Sequence, residues 1–226
     1  MVKRIAVIGA GASGMTAVKA CLEQGLEPVV FEKTNYTGGL WRYQEKVDEN
    51  GIASVMKSTI INSSKEMSAF SDFPPPAEYP NYMHNTKMVC FNRFQCYETV
   101  TNSSSFKVAY FDMYAETFNF TKYVRYRHEI VSIDMADDYD KTGRWKVQSK
   151  NLDTQQVKIE VFDGVMICTG HHGTINQPTF KGQDKFKGTV MHTHSLKHAA
   201  RQTGPSPRQF ATLATPAAGR RDDHLL

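Results

Sequence analysis

The stretch Ile5-Ala6-Val7-Ile8-Gly9-Ala10-Gly11-Ala12-Ser13-Gly14 joins an apolar run directly to three glycines spaced as GxGxxG. A second apolar run, Pro28-Val29-Val30-Phe31, ends at Glu32. This order predicts a strand, a glycine-rich turn, a helix and a second strand that ends in a carboxylate. The pattern is typical of the fold that binds the adenosine diphosphate part of a dinucleotide.

Each glycine of the turn meets a different physical requirement. Gly9 permits the tight turn out of the strand, Gly11 lets a pyrophosphate approach the backbone, and Gly14 lets the following helix pack closely on the sheet. We predict that helix from about Ser13 to Gln24, with its free amides and positive dipole end facing the phosphates. The predicted cofactor-binding residues of the turn are Gly9, Ala10, Gly11, Ala12, Ser13 and Gly14.

Glu32 narrows the choice of cofactor. A carboxylate at the end of the second strand accepts hydrogen bonds from ribose hydroxyls. It would repel the additional phosphate of NADP, by up to about 4 kcal/mol for close charges at an intermediate dielectric constant. The first nucleotide site is therefore predicted for FAD or NAD, and the turn and Glu32 do not choose between them.

Composition excludes several other classes of protein. The net charge of +4 is small and no basic stripe alternates with aromatic residues, so nucleic-acid binding is not expected. No run approaches the roughly 18 apolar residues of a membrane span. The N-terminus enters the first predicted strand without a signal-like apolar segment, so we expect a protein that is not secreted. The four cysteines have no CxxC spacing, which suits a reducing compartment.

The loop after the second strand favours FAD over NAD. Lys33 follows Glu32, and Gly38-Gly39-Leu40-Trp41 comes shortly afterwards. Paired glycines at this place suit a loop that folds back over the pyrophosphate, with the Trp packing over the nucleotide. Many flavoproteins that bind two dinucleotides have such a loop, whereas NAD dehydrogenases rarely need one.

At this point the sequence resembles the flavin-containing monooxygenases, the class that includes the N,N-dimethylaniline monooxygenases. The resemblance covers Met1 to about Met88 and Tyr110 to about Lys197. Besides the loop, the matching segments are Asn62-Ser63-Ser64-Lys65-Glu66-Met67, Phe70-Ser71-Asp72-Phe73-Pro74, Tyr79-Pro80-Asn81-Tyr82-Met83-His84-Asn85 and the FxGxxxH signature over Phe186–His192. Leu196 departs from the signature, which often has an aromatic residue at this position.

The resemblance implies a chemistry. The family reduces FAD with NADPH and lets the reduced flavin react with O2, and the resulting C4a-hydroperoxyflavin oxygenates a soft nucleophile such as an amine or a thioether. It implies that Asn62 is catalytic, beside the reactive edge of the flavin. From the residues alone, a turn or cap role for Asn62 is favoured over a catalytic one. The further cofactor-binding residues expected on this basis are Lys33, Gly39, Leu40, Trp41, Ile61, Asn62, Ser63, Thr169 and Gly170.

The later sequence is compatible with this family. Short strands are predicted over 129–135, 144–149 and 157–162, with a turn at 140–143. A buried strand is predicted over Gly164–Cys168, and Thr169-Gly170 then returns the chain to the cofactor edge of the sheet. The expected fold is α/β: a Rossmann-like doubly wound parallel sheet, forming part of an FAD-binding domain, with a small antiparallel β insertion.

Two segments depart from the family pattern. Residues 89–109 interrupt a family helix and are expected to be an atypical insertion. After about residue 198 no second GxGxxG follows, and 199–226 are predicted to be a divergent, disordered tail. We therefore expect 1–198 to be a partial FAD-binding domain that lacks the NADPH-binding domain.

Three functions remain open from the sequence. The first is a flavin-dependent monooxygenase whose chain is incomplete here and does not oxidise NADPH alone. The second is a non-catalytic module that binds FAD, and the third is an NAD-binding domain of another class. No metal site is predicted, because no Cys or carboxylate has ligand spacing around His192 and His194. The expected location is the cytoplasm, or by resemblance the cytoplasmic face of the endoplasmic reticulum.

Overall fold

The computed structural model describes residues 2–45, 52–89, 109–173 and 175–197, together with the backbone of 210–213. Its first three elements are β1 (Arg4–Ile8), α1 (Ala12–Glu23) and β2 (Glu27–Glu32). The two strands pair in parallel, so they form a βαβ unit. The predicted first helix is confirmed, with each boundary one residue earlier in the chain.

The other elements follow in chain order. They are α2 (Asn85–Met88), α3 (Tyr110–Thr117), β3 (Val124–Tyr126), β4 (His128–Met135), α4 (Tyr139–Thr142), β5 (Trp145–Asn151), β6 (Val157–Phe162), β7 (Gly164–Ile167), β8 (Thr189–His192) and β9 (Phe210–Leu213). Single 3₁₀ turns lie at Gly39–Trp41, Phe120–Tyr123, Gln183–Lys185 and Thr193–Ser195.

The central sheet is parallel and has the strand order β3-β2-β1-β7. Alternate residues of β1 face opposite layers, because side chains along a strand point to opposite faces. Ile5 and Val7 pack with the helices, whereas Ala6 and Ile8 pack against the antiparallel sheet. Burial on both faces explains why β1 reads as a continuous apolar run rather than an alternating one.

Helices α1 and α3 cover one face of the central sheet. Met15, Val18 and Cys21 recur on one side of α1, and each is only 1% exposed. From α3, Tyr110 and Tyr114 enter the same cluster. Full burial of a side chain the size of Val or Met stabilises the fold by about 1.5–3 kcal/mol, so this layer holds α1 against the central sheet.

The other face is covered by the antiparallel sheet β4-β5-β6. Phe162 packs there against β1 and β2. Glu160 of β6 also forms ion pairs with Arg4 at 3.3 Å and with Arg125, so it joins the two sheets. The predicted strands over 129–135, 144–149 and 157–162 are confirmed as this sheet, which is the small antiparallel insertion.

Two predicted segments differ in detail. The strand expected over Gly164–Cys168 ends at Ile167. Its first three residues are half-buried and Ile167 is 63% exposed, so the prediction of a buried strand is wrong. The cause is that β7 is the outer strand of the described part of the sheet, with a neighbour on one side only. The turn predicted over 140–143 is the short helix α4, closed by Gly143 at a φ of 68°.

The two departures from the family pattern fall largely outside the described residues. The insertion over 89–109 is described only at its ends, where Val89 and Ala109 are each 1% exposed. The sequence predicts a divergent, disordered tail over 199–226. Four residues of that range, Phe210–Leu213, form β9 parallel to β8, and the rest lie outside the described residues.

Candidate functional site: a cleft at the glycine turn

Two of the three glycines in the turn are required by the protein's own packing. Gly9 has a φ of +107°, and a Cβ there would lie 2.4 Å from the carbonyl oxygen of Cys168. A Cβ on Gly14 would lie 2.0 Å from the carbonyl oxygen of Gly9. Both positions thus bring β1, α1 and the end of β7 into close contact, as the fingerprint predicts for a tight turn and a closely packed helix.

Gly11 is different, because nothing in the described part of the protein requires a glycine there. Its φ of −82° suits any residue. The nearest atom to a Cβ at this position would be the Gly39 Cα at 3.7 Å, which is an ordinary contact distance. Gly11 lines an open cleft, and a side chain there would fill part of that space. The position therefore fits a group that approaches the backbone from outside the protein.

The N-terminus of α1 opens into the same cleft. Gly11 is the residue before the helix, no side chain caps it, and the first turn contains no acidic residue. The first amides of a helix have no partner within the helix, and the helix dipole places a partial positive charge at this end. Together these groups favour an anion such as a pyrophosphate beside residues 11–13.

Glu32 is held beside the turn by three hydrogen bonds. Its Oε2 accepts the Ala10 amide at 2.8 Å, and its Oε1 accepts the Thr34 amide at 2.8 Å and the Thr34 hydroxyl at 2.7 Å. The residue is 7% exposed. Since a carboxylate can accept about four hydrogen bonds, room remains for a ribose hydroxyl.

The paired glycines fold over the turn, as the sequence predicts. The Gly38 amide donates to the Ala10 carbonyl at 3.0 Å, and Gly38 has a φ of 105° that favours glycine. A Cβ on Gly39 would lie 3.2 Å from the Gly11 Cα, so the two backbones nearly touch. The 3₁₀ turn that follows brings Leu40 and Trp41 to the cleft wall.

These elements enclose a cleft of about 740 Å³. Most of the predicted cofactor-binding residues line it: Gly9, Ala10, Gly11, Ala12, Ser13, Glu32, Lys33, Gly39, Leu40, Trp41, Thr169 and Gly170. Gly14 lies behind the turn and does not line the cleft. Its contact with Gly9 gives it a packing role instead.

The predicted catalytic segment lies apart from the lining of this cleft. Asn62 is exposed, while its neighbour Ile61 is 6% exposed and donates its amide to the Met83 carbonyl at 2.9 Å. Ser63 contacts Ser68 through their hydroxyl oxygens at 2.6 Å. None of residues 61–63 is among those that line the cleft. The roles of Ile61, Asn62 and Ser63 therefore stay predictions from the resemblance.

One wall of the cleft was missed by sequence reasoning. It comes from the start of β4, with His128, Glu129 and Ile130, and Glu129 forms an ion pair with Lys33 at 2.8 Å. Other lining residues that were not predicted as site residues include Thr34, Tyr36, Ile52, Ala53, Ile133 and His171. Of these, only Thr34 has a signal in the local sequence, because its hydroxyl comes two residues after Glu32, the carboxylate that it contacts.

Tyr36 shares the local environment of Glu32. Burial raises the pKa of the Tyr36 phenol, and the negative charge of Glu32 adds to the increase. The Arg42 guanidinium lies 5.3 Å from the centre of the Tyr36 ring and acts in the opposite direction on the pKa. The phenol therefore stays protonated at neutral pH and can donate a hydrogen bond near the cleft.

The described residues contain neither a metal site nor a membrane-spanning helix. No group of three or more His, Cys, Asp or Glu side chains is arranged there to hold a metal ion. Within the same ranges, no helix has the length and apolar character needed to cross a membrane.

Comparison with known proteins identifies the family. A family model described as flavin-binding monooxygenase-like matches residues 2–205, so the chain belongs to this family. Flavin-containing monooxygenase 5 of Rattus norvegicus is 45% identical over 204 residues, covering 89% of this chain and 34% of that protein. Dimethylaniline monooxygenase (N-oxide-forming) 2 of Oryctolagus cuniculus is 41% identical over 202 residues, covering 88% and 34%. The chain thus spans about a third of the length of these relatives.

Solved structures support the fold. S-allyl-L-cysteine S-oxygenase from Allium sativum superposes with a TM-score of 0.69 at 22% identity, covering 89% of this chain and 44% of that one. Tmm from a Pelagibacter species gives a TM-score of 0.66 at 20% identity, covering 88% and 43%. The predicted α/β class with a Rossmann-like sheet is confirmed, and so is the resemblance read from the sequence.

Proposed function

We propose that this chain is the FAD-binding part of a flavin-dependent monooxygenase. The reaction would use NADPH and O2 to oxygenate the nitrogen or sulfur of small soft nucleophiles, namely amines or thioethers. The observation that carries the proposal is Gly11, where neither the backbone nor the packing requires glycine but a dinucleotide would. The N-oxide-forming activity in the name of the rabbit relative supports amines as substrates.

The residues of the cleft would divide the binding of FAD between them. The backbone at Gly11 and the amides that begin α1 would hold the pyrophosphate, and Glu32 would accept a ribose hydroxyl. The loop at Gly39 and Trp41 would cover the dinucleotide and exclude water. When bound, the flavin would supply the redox chemistry with oxygen, while the protein supplies placement. Asn62 has an amide that can both donate and accept hydrogen bonds, and it is the proposed catalytic residue.

A second candidate function rests on a different observation. Among the 226 residues the spacing GxGxxG occurs once, at residues 9–14. One fingerprint is enough for one dinucleotide, so this chain by itself can be a module that binds FAD without turnover. We assign no residue of this chain to the binding of NADPH or of the substrate. The proposed location is the cytoplasm or the cytoplasmic face of the endoplasmic reticulum.

Titration of the purified chain with FAD, NAD and NADP separates these functions. We expect FAD to bind, NAD to bind more weakly, and NADP not to bind at the Glu32 site. Tighter binding of NAD than of FAD would replace the proposal with an NAD-binding domain. Oxygenation of N,N-dimethylaniline with consumption of NADPH by this chain would rule out the non-catalytic module.

A further inference from the structure

Lys197 is buried and does not line the cleft. The residue is 5% exposed, and its Nζ donates to the Ser54 hydroxyl at 2.7 Å and to the Ser54 carbonyl at 3.1 Å. No carboxylate in the described part of the chain forms an ion pair with it. Burial lowers the pKa of Lys197. Since desolvating an ammonium group is costly unless it is hydrogen-bonded, these two contacts to Ser54 are what the site provides in compensation.

The segment that Lys197 contacts, residues 52–57, is here called the strap. It contains no helix or strand, so its own backbone does not hold it in place. Ile52 and Ala53 at its start line the cleft. The strap therefore depends on neighbouring elements to keep this part of the cleft wall in position.

Three tethers hold the strap. The Val55 amide donates to the Leu40 carbonyl at 2.8 Å, which joins the strap to the paired-glycine loop. The Asn85 side chain donates to the Met56 carbonyl at 3.0 Å. The third tether is Lys197, which holds Ser54 through its amine and accepts the Lys57 amide at its own carbonyl at 3.1 Å.

We propose that Lys197 is a positioning residue for the flavin cleft. It lies outside the cleft lining and acts through Ser54, keeping Ile52 and Ala53 against the space that the dinucleotide occupies. This inference rests on the proposed function, because it takes FAD as the ligand. Through Lys197, the segment after the FxGxxxH signature gains a role in binding the cofactor, although Lys197 lies 143 residues after Ser54 in the chain.

The test compares Lys197→Met with Lys57→Met. Both variants make the same change, but Lys57 is an exposed residue of the strap. We expect Lys197→Met to weaken FAD binding about ten-fold, the effect of losing hydrogen bonds from a charged group. Hydrogen exchange at the Val55 and Lys57 amides should become faster, while exchange in β1 and β2 is unchanged. Lys57→Met should behave as the wild-type chain in both measurements.

Further variants separate positioning from general stability. Lys197→Arg keeps the charge and the donors, so it should restore part of the FAD affinity. Ser54→Ala removes one of the two acceptors and should weaken FAD binding by a smaller factor, and it carries the test if Lys197→Met does not fold. Adding Ser54→Ala to Lys197→Met should cost little more than Lys197→Met alone, because both act through one contact.

Two results would overturn the inference. One is a folded Lys197→Met chain with wild-type FAD affinity and unchanged exchange over the strap. The other is fully additive losses in the double variant. Failure of the wild-type chain to bind FAD would instead contradict the proposed function, and the exchange at Val55 and Lys57 would still report whether Lys197 holds the strap.

Discussion

At the scale of single residues, the three glycines of the turn are needed for different reasons. Gly9 and Gly14 lie against protein backbone, so the fold itself excludes a side chain at both positions. Gly11 has room for a Cβ on the protein side and an ordinary φ. A sequence motif alone does not show this difference. The structure separates the two glycines that build the turn from the one that admits a ligand.

This difference predicts opposite effects for two alanine substitutions. Gly11→Ala should change the free energy of unfolding by less than about 1 kcal/mol but weaken FAD binding at least about ten-fold. Gly14→Ala places a Cβ 2.0 Å from the Gly9 carbonyl oxygen, so it should destabilise the fold strongly. Urea unfolding and FAD titration of both variants provide the measurements. Unchanged FAD affinity in Gly11→Ala would contradict the assigned phosphate site.

Tyr110 carries a second prediction at this scale. Its buried hydroxyl accepts the Phe70 amide at 2.7 Å and donates to the Phe73 carbonyl at 2.6 Å. Tyr110→Phe leaves both backbone groups without this partner and should lower the free energy of unfolding by about 1–3 kcal/mol. The matched control is Tyr82→Phe, at a residue that is 62% exposed, with an expected change within about 0.5 kcal/mol. Equal stabilities of the two variants in urea would show that the Tyr110 hydroxyl contributes nothing.

At the scale of elements, two tyrosines of the cluster that packs around α3 predict how the free energy of unfolding depends on pH. Burial raises the pKa of Tyr79 and of Tyr114 to about 12, above the ordinary value of 10.0. In the unfolded chain both phenols ionise near pH 10, so unfolding releases protons above that pH. The free energy of unfolding therefore keeps its full value below about pH 10 and falls as the pH rises toward 12.

The expected decline is up to about 1.4 kcal/mol per pH unit for each of the two tyrosines. Urea unfolding at about pH 9 and about pH 11 measures it. The double variant Tyr79→Phe/Tyr114→Phe should lose less of its free energy of unfolding between these two pH values than the wild-type chain does. If the free energy of unfolding of the wild-type chain is the same at both pH values, the burial of these phenols is refuted.

The elements that could be predicted from sequence are those with local signals. The unit β1-α1-β2 follows from the glycine spacing, the apolar runs and Glu32, all within 32 residues. The sequence also predicts strands β5 and β6, because their residues and the turn signals around them are typical of strands. In each case the deciding interactions lie between residues close in the chain, so the pattern is visible in the sequence.

The elements that could not be predicted depend on distant contacts. Strand β3 has three residues, too few to show a periodicity, and it exists because it pairs with β2. The strap contributes Ile52 and Ala53 to the cleft but has no pattern of its own, since its tethers come from Leu40, Asn85 and Lys197. Likewise, His128 reaches the cleft only because β4 lies beside the end of β2.

At the scale of the whole molecule, the described residues form three layers. Helices α1 and α3 lie on one side of the parallel sheet and the antiparallel sheet lies on the other. The carboxyl ends of β1, β2 and β7 meet at one edge, and the candidate cleft opens there. Dinucleotides bind at this edge in folds of this kind, so architecture and local chemistry indicate the same place.

The most direct test of this account is the absorbance spectrum of the purified 226-residue chain after it is mixed with FAD and desalted. We expect the flavin bands to remain with the wild-type protein and to be lost with the folded Gly11→Ala variant. That result would place the dinucleotide at the glycine turn. A folded wild-type chain that leaves the column without flavin would contradict the central claim that this cleft binds FAD.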